Sequence, residues 1–164
     1  MIITVASEAE KKALVPEEYQ DKVVITGMGM INTLNVLSTC LEAYELIRNS
    51  VEPIINIGYV GSNCLPVGTV CSPRRVKMYQ LTSHELVPTS DRPLNHFEGV
   101  PNLTCYTAHD FVSEDKLEDE CIFDMELAAY TIIPNVYSIK VVSDNLNIDN
   151  YYEALKDNYH DEVR

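Results

Sequence analysis

Three carboxylates stand where apolar segments end or a helical pattern begins, and their positions suggest acid–base chemistry. Glu10 follows the apolar segment 2–6, Glu126 follows the apolar segment 121–123, and Asp144 follows the apolar segment 136–142. Open α/β sheets bind their ligands at the carboxyl ends of strands. If the surroundings of these carboxyl groups separate their pKa values, one serves as an acid and another as a base.

The predicted elements that must position these carboxylates are strands that alternate with helices. Apolar, β-branched segments predict strands at residues 2–6, 22–26, 53–57, 75–81, 103–107 and 136–142, and residues 65–70 predict a turn into a further strand. Helical patterns occupy residues 7–14, the segment from Gly29 to Arg48, the segment that begins at Met125, and residues 148–164. Glycine-containing turns follow the second and third strands, and residues 82–102 predict a long loop. The sequence therefore predicts one α/β domain, residues 1–164, with a mixed central sheet flanked by helices.

Composition excludes several classes of function. The formal net charge of −13 argues against nucleic-acid binding, which draws its affinity from clustered Lys and Arg, and favours a neutral or cationic ligand. The five cysteines show no regular spacing, which predicts buried free thiols in a reducing compartment and no metal site. No segment has the roughly 20 apolar residues of a membrane span, and together with the free thiols this predicts a cytoplasmic protein. We also expect that the protein needs no cofactor.

Motifs spread along the chain resemble the nucleoside phosphorylase and nucleosidase superfamily. The resemblance is strongest to methylthioadenosine/S-adenosylhomocysteine nucleosidases, although this chain is a shortened, truncated form. The motifs that carry it are Ala6-Ser7-Glu8-Ala9-Glu10, Gly27-Met28-Gly29, Asn56-Ile57-Gly58-Tyr59-Val60-Gly61, Val67-Gly68, Asp110-Phe111-Val112, Asp124-Met125-Glu126 and Val142-Ser143-Asp144.

The resemblance implies a role for each residue of a purine nucleoside site. Glu126 would hold the ribose 2′- and 3′-hydroxyls, with Met125 packed against the sugar. Asp144, helped by Ser143, would protonate N7 of the base, and Glu10 would act as general base on a water molecule. Phe111 would stack on the purine, and the backbone of Val112 would bind its edge. The expected partner is a small-molecule nucleoside, and the expected assembly is a homodimer or a higher homo-oligomer.

The resemblance favours hydrolysis over phosphorolysis, because two arginine-containing motifs of the phosphorylases are absent from this sequence. Phosphorylases of the superfamily carry a Gly-Asp-Pro-x-Arg start and an Arg before the Gly-Ser/Thr turn. Residues 6–10 and Asn56 occupy those places here. Other departures are Tyr59 where the family has Ser, Lys140 as the basic residue before Ser-Asp, and Thr69 where the family has Asp.

Alternatives stay open at this point. Glu10 alone fits a helix cap, since Ser7 and Glu10 match a capping box. Tyr151, Tyr152 and Tyr159 predict a core or interface stripe, and His84, His96 and His109 predict loop residues without metal-ligand spacing. A catalytically inactive nucleoside-binding protein, which would sequester or sense its ligand, and a nucleoside phosphorylase are the alternative functions.

Overall fold

The computed structural model describes residues 1–45, 52–87 and 93–156. Its first part alternates strands and helices, as the sequence predicts. The elements are β1 (Ile2–Val5), α1 (Glu8–Leu14), a 3₁₀ helix (Glu17–Lys22), β2 (Val23–Ile25), α2 (Met30–Glu45) and β3 (Ile54–Ser62). Ser7 begins α1 as its N-cap, because its hydroxyl accepts a hydrogen bond from the backbone N–H of Glu10 at 3.2 Å.

The second part consists mainly of strands. Its elements are β4 (Val70–Cys71), β5 (Val76–Gln80), β6 (Glu85–Val87), β7 (Thr104–Thr107), β8 (Cys121–Asp124), a 3₁₀ helix (Leu127–Ile132), β9 (Val136–Asp144) and α3 (Ile148–Lys156). The predicted loop 82–102 thus contains a short strand, β6. The helix predicted from Met125 is a 3₁₀ helix instead. Tyr159 lies outside the described residues.

The strands form one mixed sheet, which confirms the predicted fold class. Its order is β2-β1-β3-β8-β7-β5-β6, and β9 pairs with both β3 and β4. β1, β2, β3 and β9 run parallel, as do β5, β7 and β8, while β3–β8, β4–β9 and β5–β6 are antiparallel pairs. The carboxyl ends of β1, β3 and β9 therefore meet at one edge region of the sheet.

β3 is longer than the sequence predicts, and this changes the setting of the site. The expected glycine turn after Ile57 is instead the second half of the strand, which pairs with β9 as far as Gly61 opposite Asp144. A β-bulge between Val60 and Gly61 shifts this register. Pairing with β9 supplies the backbone hydrogen bonds that a turn would otherwise have to satisfy locally. Tyr59 is consequently a strand residue.

The main core lies between the sheet, α2 and the second 3₁₀ helix. Tyr130 and Leu127 from that 3₁₀ helix are fully buried, and Leu37 of α2 packs into the same cluster. Tyr130 donates a hydrogen bond from its hydroxyl to Thr4 Oγ1 at 2.8 Å. The buried phenol therefore has a polar partner on β1, and the 3₁₀ helix is tied to the sheet beside Glu126.

Candidate active site

One cavity brings together all of the site residues predicted from the sequence. It has a volume of about 140 Å³ and lies at the carboxyl ends of β1, β3, β8 and β9. The predicted residues that line it are Glu10, Tyr59, Phe111, Val112, Met125, Glu126, Ser143 and Asp144. Residues separated by up to 134 positions in the chain thus share one cavity, because the parallel strands β1, β3 and β9 end together and the antiparallel β8 ends beside the last residues of β3.

Glu10 is held by the backbone of Ala6, directly after β1, and of Tyr59, within β3. Its Oε2 accepts a hydrogen bond from Ala6 N–H and its Oε1 accepts one from Tyr59 N–H, each at 3.1 Å. The capping-box interpretation is therefore only half correct: Ser7 caps α1, but the Glu10 carboxylate bonds to Ala6 and Tyr59. Burial raises the pKa of Glu10, and the two backbone N–H groups and Lys140 partly oppose that rise. A carboxyl group in this state is suited to accept a proton.

Glu126 lies at the start of the second 3₁₀ helix and reaches the turn between β2 and α2. Its Oε1 accepts a hydrogen bond from Gly29 N–H at 3.0 Å. Gly29 has a φ of +85°, a conformation that glycine adopts without steric cost. Burial, followed by the negative charge of Asp124, raises the pKa of Glu126 to about 7. The neutral form of this carboxyl group therefore persists to a higher pH than that of an ordinary Glu.

A buried ion pair lies directly under these carboxylates. Lys140 Nζ is 3.1 Å from Asp124 Oδ2, and both side chains are essentially inaccessible to solvent. Asp124 also accepts hydrogen bonds from Thr107 Oγ1 at 2.6 Å and from Leu127 N–H at 2.8 Å. Burial lowers the pKa of Lys140, but the charge of Asp124 and its neighbours outweighs this effect and raises it above the usual range. Lys140 is therefore a permanent cation beneath the cavity.

Asp144 ends β9 in surroundings that can hold its neutral form. Ser143 Oγ lies 2.7 Å from Asp144 Oδ2 and 3.3 Å from the carbonyl oxygen of Val60, and Leu146 N–H donates to Oδ1 at 2.9 Å. When Asp144 is protonated on Oδ2, it can donate to Ser143 Oγ while that hydroxyl donates to Val60. Burial raises the pKa of Asp144, and these hydrogen bonds oppose the rise. Asp144 is thus suited to deliver a proton.

Five aromatic side chains line the same cavity, and three of them, Phe123, Tyr151 and Tyr152, were not expected there. Tyr151 contacts Tyr59, Phe111 and Tyr152, with ring centroids 6.4, 6.1 and 5.5 Å apart. Burial raises the pKa of Tyr151, and the negative charges of Glu10, Glu126 and Asp144 raise it further. The sequence interpretation of Tyr151 and Tyr152 as core or interface residues missed this location. Their proximity in sequence to Asp144 was the available signal.

The predicted loop histidines take structural roles outside the cavity. His84 Nδ1 is 2.7 Å from Tyr79 Oη, and His96 Nδ1 is 2.8 Å from the carbonyl oxygen of Ser72. Residues 1–45, 52–87 and 93–156 contain no cluster of three or more His, Cys, Asp or Glu that could hold a metal ion. Across the same ranges, no helix has both the length and the apolarity needed to cross a bilayer. Cys71, Cys105 and Cys121 are buried free thiols, whereas Cys64 is exposed.

Solved structures of other proteins share this fold. The chain shares its mixed α/β fold with solved nucleosidases and with a futalosine hydrolase, and the alignments cover nearly the whole chain. One neighbour is the Helicobacter pylori 5′-methylthioadenosine/S-adenosylhomocysteine nucleosidase, complexed with a pyrrolidinol that carries an aminopyrrolopyrimidine and a propynylthiomethyl group. It is 16% identical, with a TM-score of 0.65 over 96% of this chain and 91% of that chain.

Two further neighbours support the same fold. An aspartate-to-asparagine variant of the nucleosidase from Chlamydia trachomatis, bound to methylthioadenosine, is 15% identical, with a TM-score of 0.66 over 96% of this chain and 91% of that chain. Futalosine hydrolase of H. pylori strain 26695 is 15% identical, with a TM-score of 0.64 over 95% of this chain and 90% of that chain. No protein-family model matches the sequence, and no curated protein matches it significantly.

Proposed function

We propose that this protein is a purine nucleosidase that hydrolyses the N-glycosidic bond of an adenosine derivative such as methylthioadenosine or S-adenosylhomocysteine. The observation that carries the proposal is the convergence of Glu10, Glu126 and Asp144 on one aromatic cavity. Two neighbours that share the fold are nucleosidases by name, and one of them was solved bound to methylthioadenosine. Both findings point to the same chemistry.

The proposed reaction assigns one task to each carboxyl group. Asp144 transfers its proton to N7 of the base, the bond between C1′ and N9 breaks, and the bonding electrons leave with the adenine. Positive charge develops on the ribose, where ionised Glu126 stabilises it. Glu10 removes a proton from the attacking water, whose oxygen forms the new bond to C1′. The products are free adenine and the 5′-substituted ribose.

The remaining cavity residues would hold the nucleoside in place. Phe111 would stack on the purine, the backbone of Val112 would bind the edge of the base, and Met125 would pack against the sugar. Ser143 lies 2.7 Å from Asp144 Oδ2 and would orient the acid. Effective positioning of this kind contributes strongly to catalysis, because it removes the entropy cost of bringing the groups together.

The charge of the cavity supports water over phosphate as the nucleophile. Of the described residues that line the cavity, none is Lys, Arg or His. Lys140, the nearest cation beneath it, is already paired with Asp124. A bound phosphate requires charge-assisted donors, and this lining offers mostly carboxylates. We therefore expect adenine release without added phosphate.

A catalytically inactive nucleoside-binding protein is the second candidate, and one observation favours it. Tyr59 stands on β3 where the resembling family has serine, its ring packs against Tyr151, and its backbone N–H binds Glu10. Tyr59 lines the same cavity as Glu10, so its ring takes up space that a serine would leave for the attacking water. Such a protein would bind the nucleoside and leave the N-glycosidic bond intact.

The decisive experiment is chromatographic detection of free adenine from methylthioadenosine, S-adenosylhomocysteine and adenosine, with and without phosphate. The hydrolase proposal requires release without phosphate and its loss in Asp144→Asn, while the affinity for the nucleoside stays within a few-fold of the wild-type value. Glu118→Gln, a change of an exposed carboxylate away from the cavity, is the matched control and should release adenine normally. Binding without release in the wild type would establish the binding protein instead. Release only with phosphate would establish a phosphorylase.

A further inference from the structure

The cavity combines a strongly acidic lining with aromatic faces. Five of its lining residues are acidic, and Lys140 pairs with one of them, Asp124, beneath the cavity. The acidic residues are Glu10, Asp110, Asp124, Glu126 and Asp144. With Asp124 balanced by Lys140 and Asp144 holding the proton that it transfers, Glu10, Asp110 and Glu126 remain as acidic residues that line the space. An uncompensated set of this kind favours a ligand that brings positive charge.

The aromatic rings form a corner beside these carboxylates. The ring planes of Tyr59 and Tyr151 stand at 85° to each other with centroids 6.4 Å apart, so the two rings form adjacent walls. Tyr152 extends the second wall at a centroid distance of 5.5 Å, and 52% of this residue is exposed. A small group in this corner lies within about 6 Å of two ring centroids, the range in which a cation is attracted to an aromatic face.

The part of the ligand that meets this corner follows from the proposed function, on which this inference rests. The base is assigned to Phe111 and Asp144, and the ribose hydroxyls are assigned to Glu126. The 5′-substituent is then the part of the nucleoside left for Tyr59, Tyr151 and Tyr152. We propose that the cavity selects adenosine derivatives whose 5′-substituent carries a positive charge, a sulfonium or an ammonium group, over the corresponding neutral thioethers.

A matched pair of ligands measures the effect of the positive charge on affinity. The 9-deaza analogue of methylthioadenosine has a C–C glycosidic bond that cannot be hydrolysed, and its S-methyl sulfonium form differs by one methyl group and one positive charge. We expect calorimetric titration of the wild-type protein to show that the sulfonium form binds about 3- to 30-fold more tightly. Equal binding, or tighter binding of the thioether, would overturn the proposal.

Variants of the corner test whether the rings cause the preference. Tyr151→Leu keeps an apolar side chain but removes the aromatic face, so the ratio of the two affinities should fall by at least about threefold. Tyr151→Phe keeps the face and should retain the ratio. Tyr152→Leu alters the half-exposed neighbour and provides a second test if Tyr151→Leu does not fold. Tyr19→Leu, which changes a tyrosine outside the cavity, is the control and should leave the ratio unchanged.

Two results separate this inference from the proposed function. If the wild type releases adenine from methylthioadenosine but shows no preference for the sulfonium ligand, the nucleosidase proposal stands and the charge preference is wrong. If neither ligand binds and no adenine is released, both are wrong. An unchanged preference in folded Tyr151→Leu and Tyr152→Leu proteins would contradict the assignment of the preference to the aromatic corner.

Discussion

Lys140 Nζ and Asp124 Oδ2 lie 3.1 Å apart beneath the cavity, and both side chains are almost completely buried. The positive charge of Lys140 opposes the rise in the pKa of both Glu10 and Glu126, whereas Asp124 promotes it. The pair therefore sets the electrostatic background of the candidate catalytic carboxylates as well as joining β8 to β9. Its disruption should affect both stability and the protonation of the site.

Removing the cation alone should strongly destabilise the protein. Lys140→Met leaves Asp124 buried without its charge partner, which costs about 3–5 kcal/mol in comparable cases. The double variant Lys140→Met with Asp124→Asn should recover much of this loss, because Asn Oδ1 still accepts one of the bonds from Thr107 or Leu127. Urea unfolding of the wild type, both single variants and the double variant measures the coupling. A loss below about 1 kcal/mol in Lys140→Met would contradict the assigned role of the pair.

The elevated pKa of Glu126 predicts a specific dependence of stability on pH. Its folded-state pKa of about 7 exceeds the ordinary Glu pKa of 4.5, so the folded state binds the proton more tightly between these values. The free energy of unfolding should therefore fall as pH rises through this window, by up to about 3 kcal/mol from this group. Glu126→Gln should be more stable than the wild type at pH 8, and the difference should vanish below pH 4.5.

Thermal unfolding at pH 4.5, 6 and 8 checks this expectation. Glu118→Gln, an exposed surface change, serves as the control and should follow the wild type at each pH. Glu126→Gln should also weaken nucleoside binding, because the amide offers the two ribose hydroxyls one oxygen acceptor instead of two. Equal stability of the wild type and Glu126→Gln at pH 8 would show that the ionised Glu126 carboxylate does not lower the free energy of unfolding.

The absence of a side chain at Gly61 should be essential for the position of Asp144. A Cβ at Gly61 would lie 2.9 Å from Asp144 Oδ1, closer than real side chains approach, so Gly61→Ala must displace the carboxyl group. A displacement of about 1 Å can reduce a rate by about 100-fold, and we expect adenine release to fall by at least about 10-fold. Gly58→Ala is the comparison, because its Cβ would meet Lys140 Nζ at 3.4 Å and Glu10 Oε1 at 3.5 Å.

Initial rates of adenine release, with circular dichroism to confirm folding, distinguish the two glycine variants. Gly58→Ala should have the smaller effect, since Lys140 and Glu10 need to move by only a few tenths of an ångström. If both variants retain full activity, Asp144 does not need the position seen in the structure.

The general-base role of Glu10 predicts a loss of rate without a matching loss of affinity. Glu10→Gln removes the proton acceptor, and general-base catalysis typically contributes about 10²- to 10⁴-fold. Glu8→Gln, an exposed change on the same helix, should behave as the wild type. Steady-state kinetics should show the effect in kcat, whereas a fall confined to affinity would assign Glu10 a binding role only. Unfolding measurements must accompany the kinetics, since the amide group cannot accept both N–H groups that Glu10 now binds.

The sequence predicts those features of the candidate site that depend on contacts between residues close together in the chain. Glu10, Glu126 and Asp144 could be selected from the sequence, because each follows an apolar segment and belongs to a short motif. The half of the capping box formed by Ser7 is likewise local, since the contact spans three residues. The approximate location of most strands also followed from the sequence, because β-branched residues and turn signals act over a few neighbouring positions.

The sequence by itself determined which carboxylates are candidates for the site, Glu10, Glu126 and Asp144. It also determined the alternation of strands and helices that leads to a mixed α/β sheet. Tertiary structure alone decided that residues 58–62 continue β3, that Lys140 pairs with Asp124, and that Tyr151 lines the cavity. The physical reason is that these features depend on distant partners: β9 supplies the hydrogen bonds of β3, while Glu126 binds the backbone of Gly29, 97 residues away. Local propensities do not contain such contacts, so only the folded chain defines the aromatic and electrostatic surroundings of the site.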